Sequence, residues 1–289
     1  MDLGLSISAL RTAIRAVADG VLTRLARDPE AAGILGLGTV QLEALGAWMR
    51  FANLVEHSRD AVALSRLGQA LHRHDEALAD SATWWVLHWE IANSYAVWAV
   101  LSRLPQGIHS PEGIEAALAH QAPGLSSRTI KNARTALIRA LEDTPLGQDL
   151  GLVRLEREGR RVTGLTKLPV RHGQAPMAAV AYALLDWSRR EELPSAALES
   201  LAAAHGPGPV LHMSAGVLER YLIDIDGAFR GRVLTYSRTA GLDEAYFKHD
   251  VTPLQVLVSH YLHVQQELAW LAALDRAQEE VGGEDEAER

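Results

Sequence analysis

The sequence predicts a mainly α fold with small β-hairpin wings. The expected arrangement is tandem winged-helix-like modules, each built on a helix-turn-helix, around a central tryptophan-rich helix. Three observations predict it. Four of the seven tryptophans fall between Asp80 and Trp98 at helical spacing. Pairs of helical stretches joined by Gly or Pro turns are followed by alternating runs that read as hairpins. This order of elements recurs three times along 289 residues, a length that favours several small modules over one large domain. The expected boundaries are 1–104 for a helical, winged-helix-like module containing the tryptophan helix, 105–173 for a basic winged-helix module, 174–280 for a C-terminal winged-helix-like module with a long last helix, and 281–289 for an acidic tail.

Taken in order, Leu10, Ile14, Val17, Val21, Leu22 and Leu25 trace one helical face over Ser8 to Arg27. The glycines of DPEAAGILGLGT lead into a second helix, VQLEALGAWMRFANLVE, with Leu42, Leu45, Trp48, Met49 and Leu54 inward. A short extended piece, Ala61 to Leu64, then runs into another helix. From Asp80 to Trp98 the positions Trp84, Leu87, Ile91, Tyr95 and Trp98 form one face and Trp85, Trp89, Ala92 and Ala96 its neighbour, so this helix is apolar nearly all round and belongs in a core. It is not a membrane span, since His88, Glu90, Asn93 and Ser94 interrupt the run. Buried indole N–H groups need acceptors, which His88 and Glu90 supply.

Ser110 at a cap and Pro111 at the first position open a further helix, and the turn APGL separates it from SSRTIKNARTALIRALEDT. Two extended pieces, Gly151 to Glu156 and Arg161 to Leu168, flank the turn Arg157-Glu158-Gly159-Arg160. The third stretch holds helices over Pro176 to Arg190 and Ser195 to Ala204, the loop GPGP, a helix over Ser214 to Ile223, and the runs RVLTYSR and LDEAYF around TAG. Thr252-Pro253 opens a long helix to about Glu280, and GGEDEAER reads as an unstructured end.

Charge singles out one segment. Between Ser126 and His172 there are ten basic and five acidic residues, a net +5, which leaves −13 for the rest of a chain whose total is −8. Arg128, Lys131 and Arg134 recur every three residues on one flank of a helix, and Ser126, Ser127, Thr129 and Asn132 at its start suit phosphate contacts and base edges. Arg157, Arg160 and Arg161 sit at the wing. These ten residues are the expected nucleic-acid-binding set, with double-stranded DNA as the partner. The competing reading is a solvated basic face, or one that meets the chain's own acids.

Other chemistry is thinly represented. The absence of cysteine excludes disulfides and thiolate sites; with no signal-peptide core before Val17, a cytoplasmic protein is expected. The glycine turn at 36–38 lacks the lysine and hydroxyl of a phosphate-binding loop, and no cofactor motif is present. His72-Arg73-His74-Asp75 and His260 with His263 are the nearest approach to metal-ligand clusters, with Asp250 or His249 as further donors, but neither set reads as a complete site. No G-x-S-x-G elbow occurs. Asp224 and Asp226, placed on an extended piece, offer a divalent-cation or nuclease alternative.

LGLGTVQLEALGAWMRFANLVE, LSRLGQAL and DSATWWVLHWEIA together resemble an uncharacterised bacterial family, the domain of unknown function numbered four thousand and seven. The likeness covers about residues 18 to 145. The W-x-L-H-W run at Trp85 to Trp89 is its most specific part, whereas Thr39-Val40-Gln41 replaces the family's usual lysine and asparagine. Members of that family are found in phage-defence islands, often beside phosphorothioate DNA-modification genes. The resemblance therefore implies a defence-system accessory protein acting on or near DNA, without a known catalytic role; together with the basic segment the expectation is a DNA-binding, non-enzymatic component of an anti-phage or DNA-modification system, working with other defence proteins and with no membrane partner. A homodimer is left open. An adaptor that docks through its acidic surface or its Leu254 to Leu271 helix is the alternative, with a metal-dependent nuclease behind it.

Overall fold

The computed structural model describes residues 5–24, 29–57, 61–147, 149–239 and 242–287. Among these residues the chain is mainly helical with three small antiparallel sheets, and no helix is long and apolar enough to cross a membrane. It divides into two compact units, residues 1–80 with 87–168, and residues 81–86 with 169–289.

In the first unit, α1 (Ile7–Ala18) buries Leu10, Ala13, Ile14 and Val17 as its spacing requires. It stops earlier than the apolar pattern suggests, because Gly20 turns the chain at φ +69° and Val21 is left exposed. Leu25 to Asp28 lie outside the described residues. After α2 (Pro29–Leu35), α3 (Thr39–Phe51) ends ahead of Asn53, which has φ +54°. The residues expected to continue that helix become β1 (Val55–His57), paired antiparallel with β2 (Val62–Leu64) ahead of α4 (Arg66–His74). Ser65 caps α4 by accepting from the Gly68 N–H at 3.0 Å.

The tryptophan stretch is two helices, α5 (Ser81–Ser94) and α6 (Ala96–Arg103), not one helix running to Trp98. Asn93 and Ser94 turn their side chains back to the carbonyls of Trp89 and Glu90, competing with the helical ladder. Tyr95 adopts an extended conformation and stacks on Phe51 with ring centroids 4.3 Å apart. The break folds Trp98 onto the second half of α5, where its indole N–H donates to His88 Nδ1 at 3.0 Å. His88 is thus a buried acceptor in the core.

Next come β3 (Gly107–His109), α7 (Pro111–Gln121), α8 (Ser127–Asp143), β4 (Val153–Glu158) and β5 (Arg161–Lys167), with sheet order β3-β5-β4. β3 lies where the sequence shows only a break. Its three residues are too short for a period, and Ile108 is 75% exposed.

The second unit repeats this order. It contains α9 (Met177–Arg190), β6 (Ser195–Ala197), α10 (Leu198–Ala202), α11 (Pro207–Val210), α12 (Ala215–Phe229), β7 (Leu234–Thr239) and β8 (Leu242–Phe247), with sheet order β6-β8-β7. In both sheets the short strand that precedes the paired helices hydrogen-bonds to the last strand of the hairpin. The helix expected from Ser195 therefore opens as a strand; Ala240 and Gly241 of the hairpin turn lie outside the described residues. The long terminal helix is interrupted as well. Glu267, at φ +53°, closes α13 (Pro253–Gln266), and Trp270 opens α14 (Trp270–Ala287) by stacking on His263 at 4.1 Å. The acidic end read as unstructured is helical through Ala287, and Glu288 and Arg289 lie outside the described residues. Thr83 of the first turns of α5 bonds Tyr261 Oη of α13 at 2.7 Å, within this unit.

Candidate nucleic-acid interface

The basic segment forms α8 and the β4–β5 hairpin. Gly124, at φ +98°, makes the turn after α7, and Ser126 caps α8 by accepting from the Thr129 N–H at 3.1 Å. The Ser126 hydroxyl also bonds the Thr129 hydroxyl at 2.8 Å, so these two hydroxyls serve the helix start itself. Ser127, Arg128, Thr129 and Lys131 are exposed, and Asn132 is half-buried beside them. Leu137, Ala140 and Leu141 face inward. At about 100° per residue, Arg128, Lys131, Thr135 and Arg139 then fall on the outward side.

Arg134 departs from this set. It lies on the flank toward α7 and pairs with Glu115 at 3.2 Å. The Glu112 carboxyl at the start of α7 is held below its ordinary range, first by its own backbone N–H and the Ser110 hydroxyl, with smaller contributions from Arg134 and Arg161. Arg157 turns toward α8 and pairs with Glu142 at 2.6 Å, while Arg154 pairs with Glu156 at 3.2 Å. Arg160 and Arg161 are exposed beside Gly159, whose φ of +60° makes the hairpin turn. Of the ten expected residues, the structure brings Ser127, Arg128, Lys131 and Asn132 onto one open face. Arg134, Arg157 and Arg161 face the chain's own carboxylates. Arg139 contributes to the charge of the segment and lies outside the expected set of ten; its spacing of eight from Lys131 is the signal for it.

At the end of β5, the central strand of this sheet, Lys167 is buried and donates to the carbonyls of Ser102 at 3.0 Å and Leu104 at 2.8 Å. Burial lowers its pKa to about 8. It closes the C-terminal end of α6 and takes no part in the open face.

The paired carboxylates of the nuclease alternative are not on one side of an extended piece. Asp224 and Asp226 lie on α12, not on an extended piece, and residues two apart on a helix project about 160° apart. Asp224 bonds His172 Nε2 at 2.6 Å, and Asp226 accepts the Tyr236 N–H at 3.0 Å. His260 and His263 are both stacked on Trp270. Among the described residues no three His, Asp or Glu side chains converge as metal donors.

No family model matches the chain, and neither does any curated protein. Among solved structures, the magnesium ion-bound SspB crystal structure is similar, with a TM-score of 0.74 and 18% identity over 97% of this chain and 94% of that one. A second SspB crystal structure has a TM-score of 0.70 and 16% identity over 99% of this chain and 94% of that one. At such identity the likeness shows a shared fold.

Proposed function

We propose that the chain binds double-stranded DNA through α8 and the β4–β5 hairpin, acting as a winged-helix module, and that it is a non-enzymatic accessory component of a bacterial anti-phage defence or DNA-modification system. The observation that carries the reading is the outward face of α8. It presents Arg128, Lys131, Asn132 and Arg139 on the second helix of a helix-turn-helix, beside a hairpin whose turn bears Arg160. Winged-helix proteins place that helix in the major groove and the hairpin on a flanking phosphate or minor groove. The placement in a defence system is supported by the W-x-L-H-W resemblance and by the fold shared with SspB.

The test is a fluorescence-anisotropy titration of duplex, single-stranded and RNA oligonucleotides at about 50 and 200 mM salt, where a site that neutralises roughly four phosphates has a slope of log K on log salt near −4. Retention that is lost in Arg128→Glu with Lys131→Glu supports the reading, and no binding at low salt overturns it. One observation favours an adaptor instead: the chain's own acids already occupy Arg134 and Arg157. An adaptor co-purifies with a defence protein whether or not these charges are reversed.

A further inference from the structure

Asn132 carries the one side-chain amide of α8. It is half-buried on the second turn of that helix, next to Lys131 and four residues after Arg128, both of which are exposed. We propose that Asn132 reads an adenine in the major groove, its Nδ2 donating to N7 and its Oδ1 accepting from the N6 amino group, so that the chain prefers duplexes with an A·T pair at one fixed position. The inference rests on the DNA-binding reading above and adds what a basic face cannot supply.

Phosphate contacts hold a protein on the duplex without distinguishing sequence, and base identity comes from contacts to base edges. An amide matches adenine there, because it offers one donor and one acceptor to the N7 acceptor and the N6 donor. Ammonium and guanidinium groups only donate, and a hydroxyl serves more than one base. Asn132 is also free to make the pair. Among the described residues its amide has no hydrogen-bond partner. Asparagine is a poorer helix former than alanine, and here no bond to the rest of the chain offsets that cost.

The neighbouring uncharged groups are engaged. The hydroxyls of Ser126 and Thr129 bond each other at 2.8 Å, and Ser126 also caps the helix. Thr135 gives its hydroxyl to the Lys131 carbonyl at 2.9 Å and borders a cleft of about 210 Å³ between α8 and the hairpin. Carboxylates of α7 lie on another flank. Arg128 and Asn132 are turned about 40° from each other and share the open side, whereas Arg134 is turned about 160° from Asn132. It is Arg134 that meets Glu115 and acts on Glu112.

The repeated order of elements does not repeat this group. In the second unit α12 also starts from a serine cap, Ser214. Counting from the two caps sets Arg220 where α8 has Asn132, and Glu219 where it has Lys131. Base reading is therefore a property of one helix, not of the fold.

The experiment selects binding sites. The full chain and its Asn132→Ala variant each enrich duplexes from a random library, and the enriched sequences are read; anisotropy then compares adenine with 7-deazaadenine, which lacks the N7 acceptor, at the enriched position. A preference for adenine of about 5- to 150-fold at one position, lost in Asn132→Ala, supports the readout, as does weaker binding of 7-deazaadenine by the unaltered chain alone. Circular dichroism checks that the variant folds, and the 7-deazaadenine arm on the unaltered chain needs no variant. Duplex bound with no preferred base, with a preference that Asn132→Ala keeps, or with an adenine whose N7 is dispensable overturns the readout and leaves the DNA reading standing. No duplex bound even at about 50 mM salt overturns both.

Discussion

Arg134 reaches Glu115 at 3.2 Å, whereas Lys131, on the same helix, is exposed. Truncating each should have different consequences. Lys131→Ala is expected to make the salt slope of DNA binding shallower by about 0.9, the value of one phosphate contact. Arg134→Ala should change that slope less and cost under about 1 kcal/mol of stability, as partly exposed ion pairs do; salt titrations of both variants decide. Lys167 makes a separate prediction. Its pKa in the folded chain, about 8, lies below the ordinary 10.5, so between those pH values the unfolded chain holds a proton that the folded chain has released. Its contribution therefore makes stability rise with pH across that window, while below about pH 8 the cost of burying the ammonium is constant. Denaturant unfolding at pH 8 to 10 should show this rise, and Lys167→Met should flatten it. Spacing alone identified Arg128 and Lys131 as outward residues. It had no means of assigning Arg134 to Glu115 or Arg157 to Glu142, because an ion pair between elements depends on where a second helix or strand is packed.

Helix starts were legible where a capping residue stood beside a proline or a cap-forming hydroxyl, though the start read at Ser195 is a strand. Ser110 with Pro111, Ser126, and Thr252 with Pro253 each cap a helix where the sequence placed one. Breaks were harder to read. Two of the unexpected ones, at Tyr95 and Glu267, lie beside aromatic stacking, of Tyr95 on Phe51 and of Trp270 on His263. Such contacts override a helical period that continues through the break. Short strands were missed for a related reason, since β3 and β6 have three residues each and are defined only by the partner to which they bond. That pairing can be tested. Gly164→Ala should destabilise the first unit by about 1–3 kcal/mol through overpacking against β3, with faster amide exchange in β3 and β5. Gly216→Ala on α12, where an added Cβ meets nothing within 4 Å, should instead be neutral or stabilise by up to about 1 kcal/mol.

At the scale of the molecule, the two units own different parts of one helix, since residues 81–86 of α5 belong with the second unit and 87–94 with the first. The Thr83 bond to Tyr261 accounts for part of that division. Tyr261→Phe removes it and should cost about 0.5–1.5 kcal/mol. Hydrogen exchange should show lost protection at residues 81–86 and less change at 87–94; equal loss along the whole helix would contradict the division. Sequence by itself determined the helical class, the recurring order of helices and hairpin, the buried role of the tryptophans and the +5 segment within a −8 chain, because periodicity, caps and charge are properties of neighbouring residues. Tertiary structure alone decided where α5 and α13 end, which strands exist at three residues, which arginines remain outward and that a cleft lies beside them. Each of those depends on groups far apart in the chain meeting in space.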